Sequence, residues 1–419
     1  MKSLTWGLAL LSVVVGPAPA QPAPGDWIFT TISTTGGAAC AMRPASGSIS
    51  TIAVGSPLGL LHTVVMAPDN LDVTSASTIG VLQWPFSWLV RITPWGAVSS
   101  IAGPFSGGPE LLRPQQLDVD QDGAYVLSDE WFNFVRKVDP VTGGVSIVLI
   151  APGRLTNLVI DQDTGDYVIG VATSYGNQSS LLRADRSTGA LATIATGLGQ
   201  VTSIDFEPRS GDFVLGRLAP VSVLRVRRDG STQALGGIPT DPMALKVDDE
   251  TGNLLVGGWD VSTARITSLS PAGGVLTSHV LAPPFWIGGV EVYGSRKVFG
   301  SGSLTAGSAY AIDFAFPASP GAPYVAALSL ALRPGIALRD GVRVVNLAPD
   351  PLFFRSLGGI PGITTGFSGT LDATGRARGT ITLPPRFPTG IRLFVTAVAA
   401  NPALPGGLDS GNSIGATSK

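Results

Sequence analysis

A tight turn recurs along this chain with a period that few folds can accommodate. Its glycine-centred form is clearest at Gln121-Asp122-Gly123, and counterparts sit at Gly25, Asn70, Gly165, Gly211, Gly252 and Gly294. Successive spacings are 45, 53, 42, 46, 41 and 42 residues, the range of a four-stranded repeat. Asp favours such a turn through local side-chain bonding, and Gly takes a positive φ without steric cost. A short apolar run follows the turn, as in Gly165-Asp166-Tyr167-Val168 and Gly211-Asp212-Phe213-Val214.

The clearest unit is Leu117 to Val148. Leu117, Val119, Tyr125 and Leu127 alternate as half-buried strands do. Asp139-Pro140-Val141-Thr142-Gly143 makes a second turn between Phe134 to Val138 and Gly144 to Val148. Each unit therefore holds four strands, A to D from the inside outwards. The first unit, from Gly25, lacks an A strand, and an unmatched A strand, Gly288 to Tyr293, follows five complete units. Together these predict an all-β chain with a six-bladed β-propeller closed by pairing the last A strand with Trp27 to Val54. Seven blades is the alternative, with Lys297 to Gly302 and Ala309 to Phe314 as added strands.

From about Ser295 the pattern changes to Pro-punctuated strands, predicting a C-terminal β-sandwich. The expected divisions are a signal peptide over 1–20, a propeller over 21–294 and a sandwich over 295–419. Lys2, the apolar run Leu4 to Val15 and Ala18-Pro19-Ala20 make up the signal and its cleavage site. That apolar run is too short to span a bilayer, and no later segment qualifies. The expectation is export to the periplasm or the outside of the cell, as a monomer with no transmembrane segment.

Of 419 residues only 13% are charged, and the net charge is −2, so no basic stripe exists for nucleic acid. Gly (54) and Pro (33) are abundant enough to supply many tight turns. Cys40 is the only cysteine, which excludes an internal disulfide and suits a small buried core residue.

The phrase LDVDQDGAYVLSD, followed by FVRKVD, resembles the NHL-repeat and related six-bladed propellers, which include gluconolactonase-like and streptogramin-lyase-like proteins. The likeness covers roughly residues 25 to 293. It implies the fold and leaves function open, because such propellers serve both as enzymes and as binding modules. The lyase-like members use a catalytic His for which no motif aligns here. The tail, from YGSRKVFGSGS to LFVTAVAANP, resembles a C-terminal domain carried by many secreted bacterial proteins.

Asp118, Asp120 and Asp122 before Gly123 match the opening of an EF-hand loop, with Asp129 at the twelfth position. The missing helices and the loss of these carboxylates from other units favour a structural turn. The A–B and C–D turns share one face and are tight; the D–A and B–C connections share the other and are longer. Functional groups concentrate on such loops. The candidate ligand-binding face is therefore Trp84, Arg113, Glu130, Trp131, Arg154, Asn157, Tyr175, Asp241, Trp259, Asp260 and Trp286. A glycan, peptide or protein partner fits these aromatics. No cofactor is identified, although Glu130, Asp241, Asp260 and Asn157 would suit Ca2+ or another divalent ion. The second reading is a metal-assisted lactonase, hydrolase or lyase at the central channel. No catalytic residue is assigned: His62 and His279 are the only histidines, so a Ser-His-Asp mechanism or a histidine metal site has few candidates, and His62 suits a structural role and His279 a solvated one.

Overall fold

A computed structural model describes residues 21–33, 36–54, 60–66, 73–79, 86–93, 97–105, 114–130, 132–172, 178–260, 263–281, 286–292, 294 and 296–419. The signal-peptide assignment, and Trp84, Arg113, Trp131 and Tyr175, lie outside the described residues.

Among the described residues between 27 and 292, six antiparallel sheets of four strands are formed. Their inner A strands are Trp286–Val292 in sheet I, Leu60–Met66 in II, Pro114–Val119 in III, Arg154–Ile160 in IV, Val201–Glu207 in V and Asp241–Val247 in VI. Sheet I is built from both ends of this segment. Trp286–Val292 pairs with Trp27–Ser33, aligning Trp27 with Val292 and Phe29 with Val290. The described glycines at the A–B turns, Gly25, Gly123, Gly165, Gly211, Gly252 and Gly294, have φ between 72° and 88°, where a Cβ would be strained.

Six separate apolar clusters lie one between each pair of neighbouring sheets. Ile28 and Ile52 meet Val64 and Ile92 between I and II. Leu89 meets Tyr125 between II and III, and Val126 meets Leu158 and Tyr167 between III and IV. Val168 meets Phe206 and Phe213 between IV and V, and Val214 meets Val256 between V and VI. Trp27, Phe29 and Met42 meet Ile266 and Leu281 between VI and I, which returns to the start. The sheets thus pack in a closed, propeller-like cycle, with one apolar cluster between each neighbouring pair.

Cys40 belongs to the cluster between sheets VI and I, where burial pushes its thiol up to about 11. Native protein at pH 8 is expected to resist thiol reagents and to react at once when unfolded in urea. Stoichiometric labelling of the folded protein is the contrary result.

Beyond residue 296 two further sheets enclose a separate core. One orders Val298–Ser301, Ala309–Ala315, Arg376–Thr382 and Thr364–Thr365; the other orders Ser368–Thr370, Pro323–Ser329, Arg392–Ala400 and Leu408–Ser410, with Ile414–Thr417 also on Arg392–Ala400. Tyr310, Ile312, Phe314, Phe367, Leu393 and Val395 fill the space between them, a sandwich-like arrangement. The seven-blade alternative is thereby corrected: Val298–Ser301 and Ala309–Ala315 pair with each other and with Arg376–Thr382, because their apolar faces complete this core. One short helix, Pro351–Ser356, was not expected. Asp350 caps it by accepting from Phe353 N at 2.7 Å, and Pro occupies its first turn, where no amide partner is needed.

Candidate functional site

The inner strands carry two devices that shape the centre of the ring. The first is a register shift in every A strand at its long-loop half. The skipped positions are His62, Gln115 and Gln116, Thr156, Thr202, Met243 and Gly288. A bulge sets two residues against one and re-aims the side chains beside it. Small residues on the B strands make room. A Cβ on Gly170 would lie 2.8 Å from Thr156 Oγ1, one on Gly216 2.4 Å from Ser203 Oγ, and one on Gly257 2.7 Å from Val290 Cγ1. Ser128 takes this place in sheet III, where its Oγ accepts from Gln116 N at 2.9 Å.

The second device is a staple between neighbours. Asp118 accepts from Ile160 N of the next sheet at 3.2 Å, and Asp205 accepts from Val247 N at 2.7 Å. Lys246 of sheet VI lies 3.4 Å from Asp205 of sheet V and 3.9 Å from Glu291 of sheet I, its two neighbours. Burial opposes the charge of Lys246, yet Asp205 and Glu291 hold its pKa above the ordinary value. Burial also works against ionisation of Asp118, but the Arg296 guanidinium and Lys246 outweigh it and keep this carboxyl below its usual range. Asp205 goes the other way, raised by burial against the pull of Lys246.

The carboxylates of the EF-hand-like stretch are held separately. Asp118 faces the channel, paired with Arg296. Asp120 takes Lys137 at 2.7 Å and a two-pronged bond from Arg186 of sheet IV. Asp122 shares Lys137, and buried Asp129 takes Arg136 at 3.2 Å. The same latch recurs one sheet on. Asp161 binds Arg183 of its own sheet at 3.3 Å and Arg228 of sheet V at 2.7 and 2.8 Å. In sheet V, Glu207 binds Arg225 at 2.9 Å. An acid at the end of strand A and a base next to last in strand C is the sequence signal for this latch. These carboxylates are therefore a structural fastening, within a sheet at Asp129 and Glu207 and between sheets at Asp120 and Asp161.

The tight-turn end of the ring is occupied by the C-terminal sheets. Tyr310 Oη donates to Gln121 O at 2.8 Å, Arg392 Nη2 to Gln162 O at 2.7 Å, Arg333 Nη1 to Pro208 O at 3.1 Å, and Asn346 Nδ2 to Asp249 O at 2.8 Å. These contacts fall on the A–B turns of sheets III to VI. Lys297 reaches both Glu250 of the ring and Asp409 of the C-terminal sheets. Arg296 enters the channel itself. Burial pushes the Asp249 carboxyl beside it up to about 7, Lys246 opposing and Asp205 adding repulsion.

Folded Asp249 therefore holds its proton where the unfolded chain has lost it. This favours the folded state at acid pH, and the advantage disappears as pH rises from about 4 through 7. Asp249→Asn is expected to gain about 1 kcal/mol at pH 8, and nothing at pH 4. Equal urea midpoints for the two proteins at pH 8 would contradict this.

Of the residues expected on the ligand face, Trp259 and Trp286 come together, rings stacked 5.4 Å apart at 28°, with Trp286 53% exposed. Asp241 is aligned with Trp259 in the ladder of sheet VI. Glu130 is buried, accepts from Gln115 Nε2 at 2.6 Å and is paired with Arg154. Asn157 is buried between sheets IV and V, its Nδ2 directed at Val201 O at 3.4 Å. Asp260 closes its own turn, accepting from Thr263 N at 2.8 Å and Thr263 Oγ1 at 2.9 Å. Of the four residues suited by type to a divalent ion, Glu130 is paired with Arg154 and Asp260 accepts from Thr263. Among the described residues no group of three or more His, Cys, Asp or Glu is set to hold a metal ion.

A chain in the crystal structure of a nidogen–laminin complex superposes on this one with a TM-score of 0.51 at 10% identity, covering 64% of this chain and 98% of that one. The likeness is one of architecture. TolB from Acinetobacter baumannii gives 0.49 at 11% identity, over 64% of this chain and 66% of its own. A calcium-binding protein, regucalcin, from Agrobacterium tumefaciens gives 0.40 at 14%, over 52% and 73%. No family model matches the chain, and no curated protein matches it. The similarity to NHL-repeat and gluconolactonase-like proteins thus stands as a distant resemblance to propeller-like folds, without membership of either family. No helix among the described residues is long and apolar enough to cross a membrane.

Proposed function

We propose that this chain is an exported binding module, a six-bladed propeller over 21–294 with a C-terminal sandwich over 295–419, whose long-loop face receives a glycan or peptide. The observation that carries this reading is the stacked Trp259–Trp286 pair, with Trp286 more than half exposed. An exposed, braced indole offers a flat apolar face to a sugar ring or an apolar side chain at low entropic cost. Docking of the C-terminal sheets on the tight turns supports the choice of face, because it leaves the loop end for a ligand. The C-terminal sandwich acts as a positioning module that holds this end outward.

Glycan and peptide arrays test the reading. Wild-type protein is expected to retain a ligand that Trp286→Ala binds about tenfold more weakly, a loss of about 1.4 kcal/mol. Trp286 is too exposed for the substitution to disturb folding, so the Tm should stay put. Silent arrays alongside robust lactone turnover would replace the binding module with an enzyme.

A further inference from the structure

Of the three carboxylates expected on the ligand face, two are committed within the protein. Glu130 is paired with Arg154 and accepts from Gln115, and Asp260 accepts from Thr263. Asp241 is different. It is half-buried, and among the described residues no group hydrogen-bonds or ion-pairs with its carboxylate.

The ladder of sheet VI sets Asp241 directly opposite Trp259. Opposed residues of an antiparallel pair share one face of the sheet, their Cβ atoms about 4.5–5.5 Å apart. Trp259 packs against the apolar cluster between sheets VI and I, so Asp241 is turned to the same side. Trp286 opens the inner strand of sheet I and stacks on Trp259 there. An unpaired carboxylate therefore stands beside an indole pair of which one member is 53% exposed. Met243, two residues beyond Asp241 and 37% exposed, adds apolar surface along the same strand. This combination is selective. A sugar ring brings several hydroxyls, and one carboxylate leaves most of them without a partner against apolar surface, which costs free energy. An anion meets only repulsion. A basic side chain brings an apolar stem for the indoles and a cationic head for the carboxylate, and the indole faces attract that head as well. Arginine fits better than lysine, because its planar guanidinium can stack on an indole and grip a carboxylate through two parallel N–H groups. Residues 21–294 hold more Asp and Glu than Lys and Arg, which favours the approach of a basic partner to the ring.

We propose that Asp241, Trp259 and Trp286 form an arginine-recognition site, where an arginine of a peptide or protein partner lays its stem on the indoles and pairs its guanidinium with Asp241. The inference rests on the binding-module reading and narrows its ligand from a glycan or peptide to an arginine-bearing peptide. The indoles supply sequence-tolerant affinity, and Asp241 supplies the choice of a cation.

Capped pentapeptides with a central arginine, citrulline or lysine, displayed at equal density on a biosensor surface beside an array of neutral glycans, test the assignment. The wild-type chain is expected to bind the arginine peptide about tenfold more tightly than the citrulline copy, which keeps the shape and lacks the charge. The lysine peptide should fall between them. Asp241→Asn should lose the preference for arginine over citrulline, together with the salt dependence that accompanies it. Its Tm should match the wild type, since the carboxylate makes no bond within the protein. Trp286→Ala should weaken all three peptides alike. Equal binding of the arginine peptide and its citrulline or lysine copy overturns the proposal, and so does an Asp241→Asn variant that keeps the preference. Arginine peptides that fail to bind, while glycans bind through Trp286, overturn it and leave the binding module standing. Silence from both surfaces alongside lactone turnover removes the site and the module together.

Discussion

Arg296→Met should destabilise the folded protein by about 3 kcal/mol at neutral pH, because it leaves Asp118 charged in the channel without its cation. Asp118 is hemmed in by Ile160 N and Val119 N, and Lys246 is the remaining cation acting on it. Breaking one side of such a pair costs more than the pair contributes, since the surviving charge stays desolvated. Two further observations would separate this cause from simple loss of packing. The deficit should shrink at acid pH, where Asp118 of the variant takes up a proton. It should also shrink in Arg296→Met/Asp118→Asn, whose amide oxygen still accepts from Ile160 N. Urea denaturation at pH 4 and pH 7 gives both comparisons. A deficit that is the same at both pH values would point to packing.

Val290→Pro should cost about 3 kcal/mol or more, since proline removes a strand donor and clashes within a paired sheet. Val290 is aligned with Phe29 and packs in the cluster between sheets VI and I, 5% exposed. The loss should not stay local. Trp286–Val292 is the strand through which sheet I is completed, so its release would uncover both the edge of Trp27–Ser33 and the apolar cluster behind it. The expected result is a lower Tm for the whole ring in a single transition. A variant that melts like wild type would mean the strand contributes little to closure.

Much of the ring was legible because its turns demand glycine and its strands alternate. Both signals are local, and both repeat. The count of three strands, five fours and one closing strand follows from the seven recurring turns between Gly25 and Gly294, and Trp27 is paired with Val292 as that closure requires. The site was harder to read. A bulge adds one residue to a strand without changing its composition, so Thr156, Thr202 and Met243 look like any other strand residues. The latch from Asp161 to Arg228 spans 67 residues, and neither partner stands out by itself. Arg296, Arg333 and Arg392 belong to no motif; their targets, Asp118 on an inner strand and Pro208 O and Gln162 O on the A–B turns, become visible only when the two parts meet. The Trp259–Trp286 pair was foreseen as two aromatics on one face. Their stacking depends on adjacent ladders in sheets VI and I, which no local pattern encodes.

The two halves of sheet I begin and end at the same place: Trp27 opens one strand and Val292 closes the other, directly opposite. A pull applied between the segment before Trp27 and the C-terminal sheets would therefore load that ladder at one end only. Antiparallel strands drawn apart in this direction unzip rung by rung, which needs far less force than sliding all rungs at once. Arg296 and Lys297 follow Val292 within a few residues, and both are anchored to other sheets of the ring, at Asp118 and Glu250. Tension arriving from the C-terminal side meets these anchors first and is spread over sheets III and VI. The clasp that closes the ring is thus shielded from the direction of traction in which it is weakest.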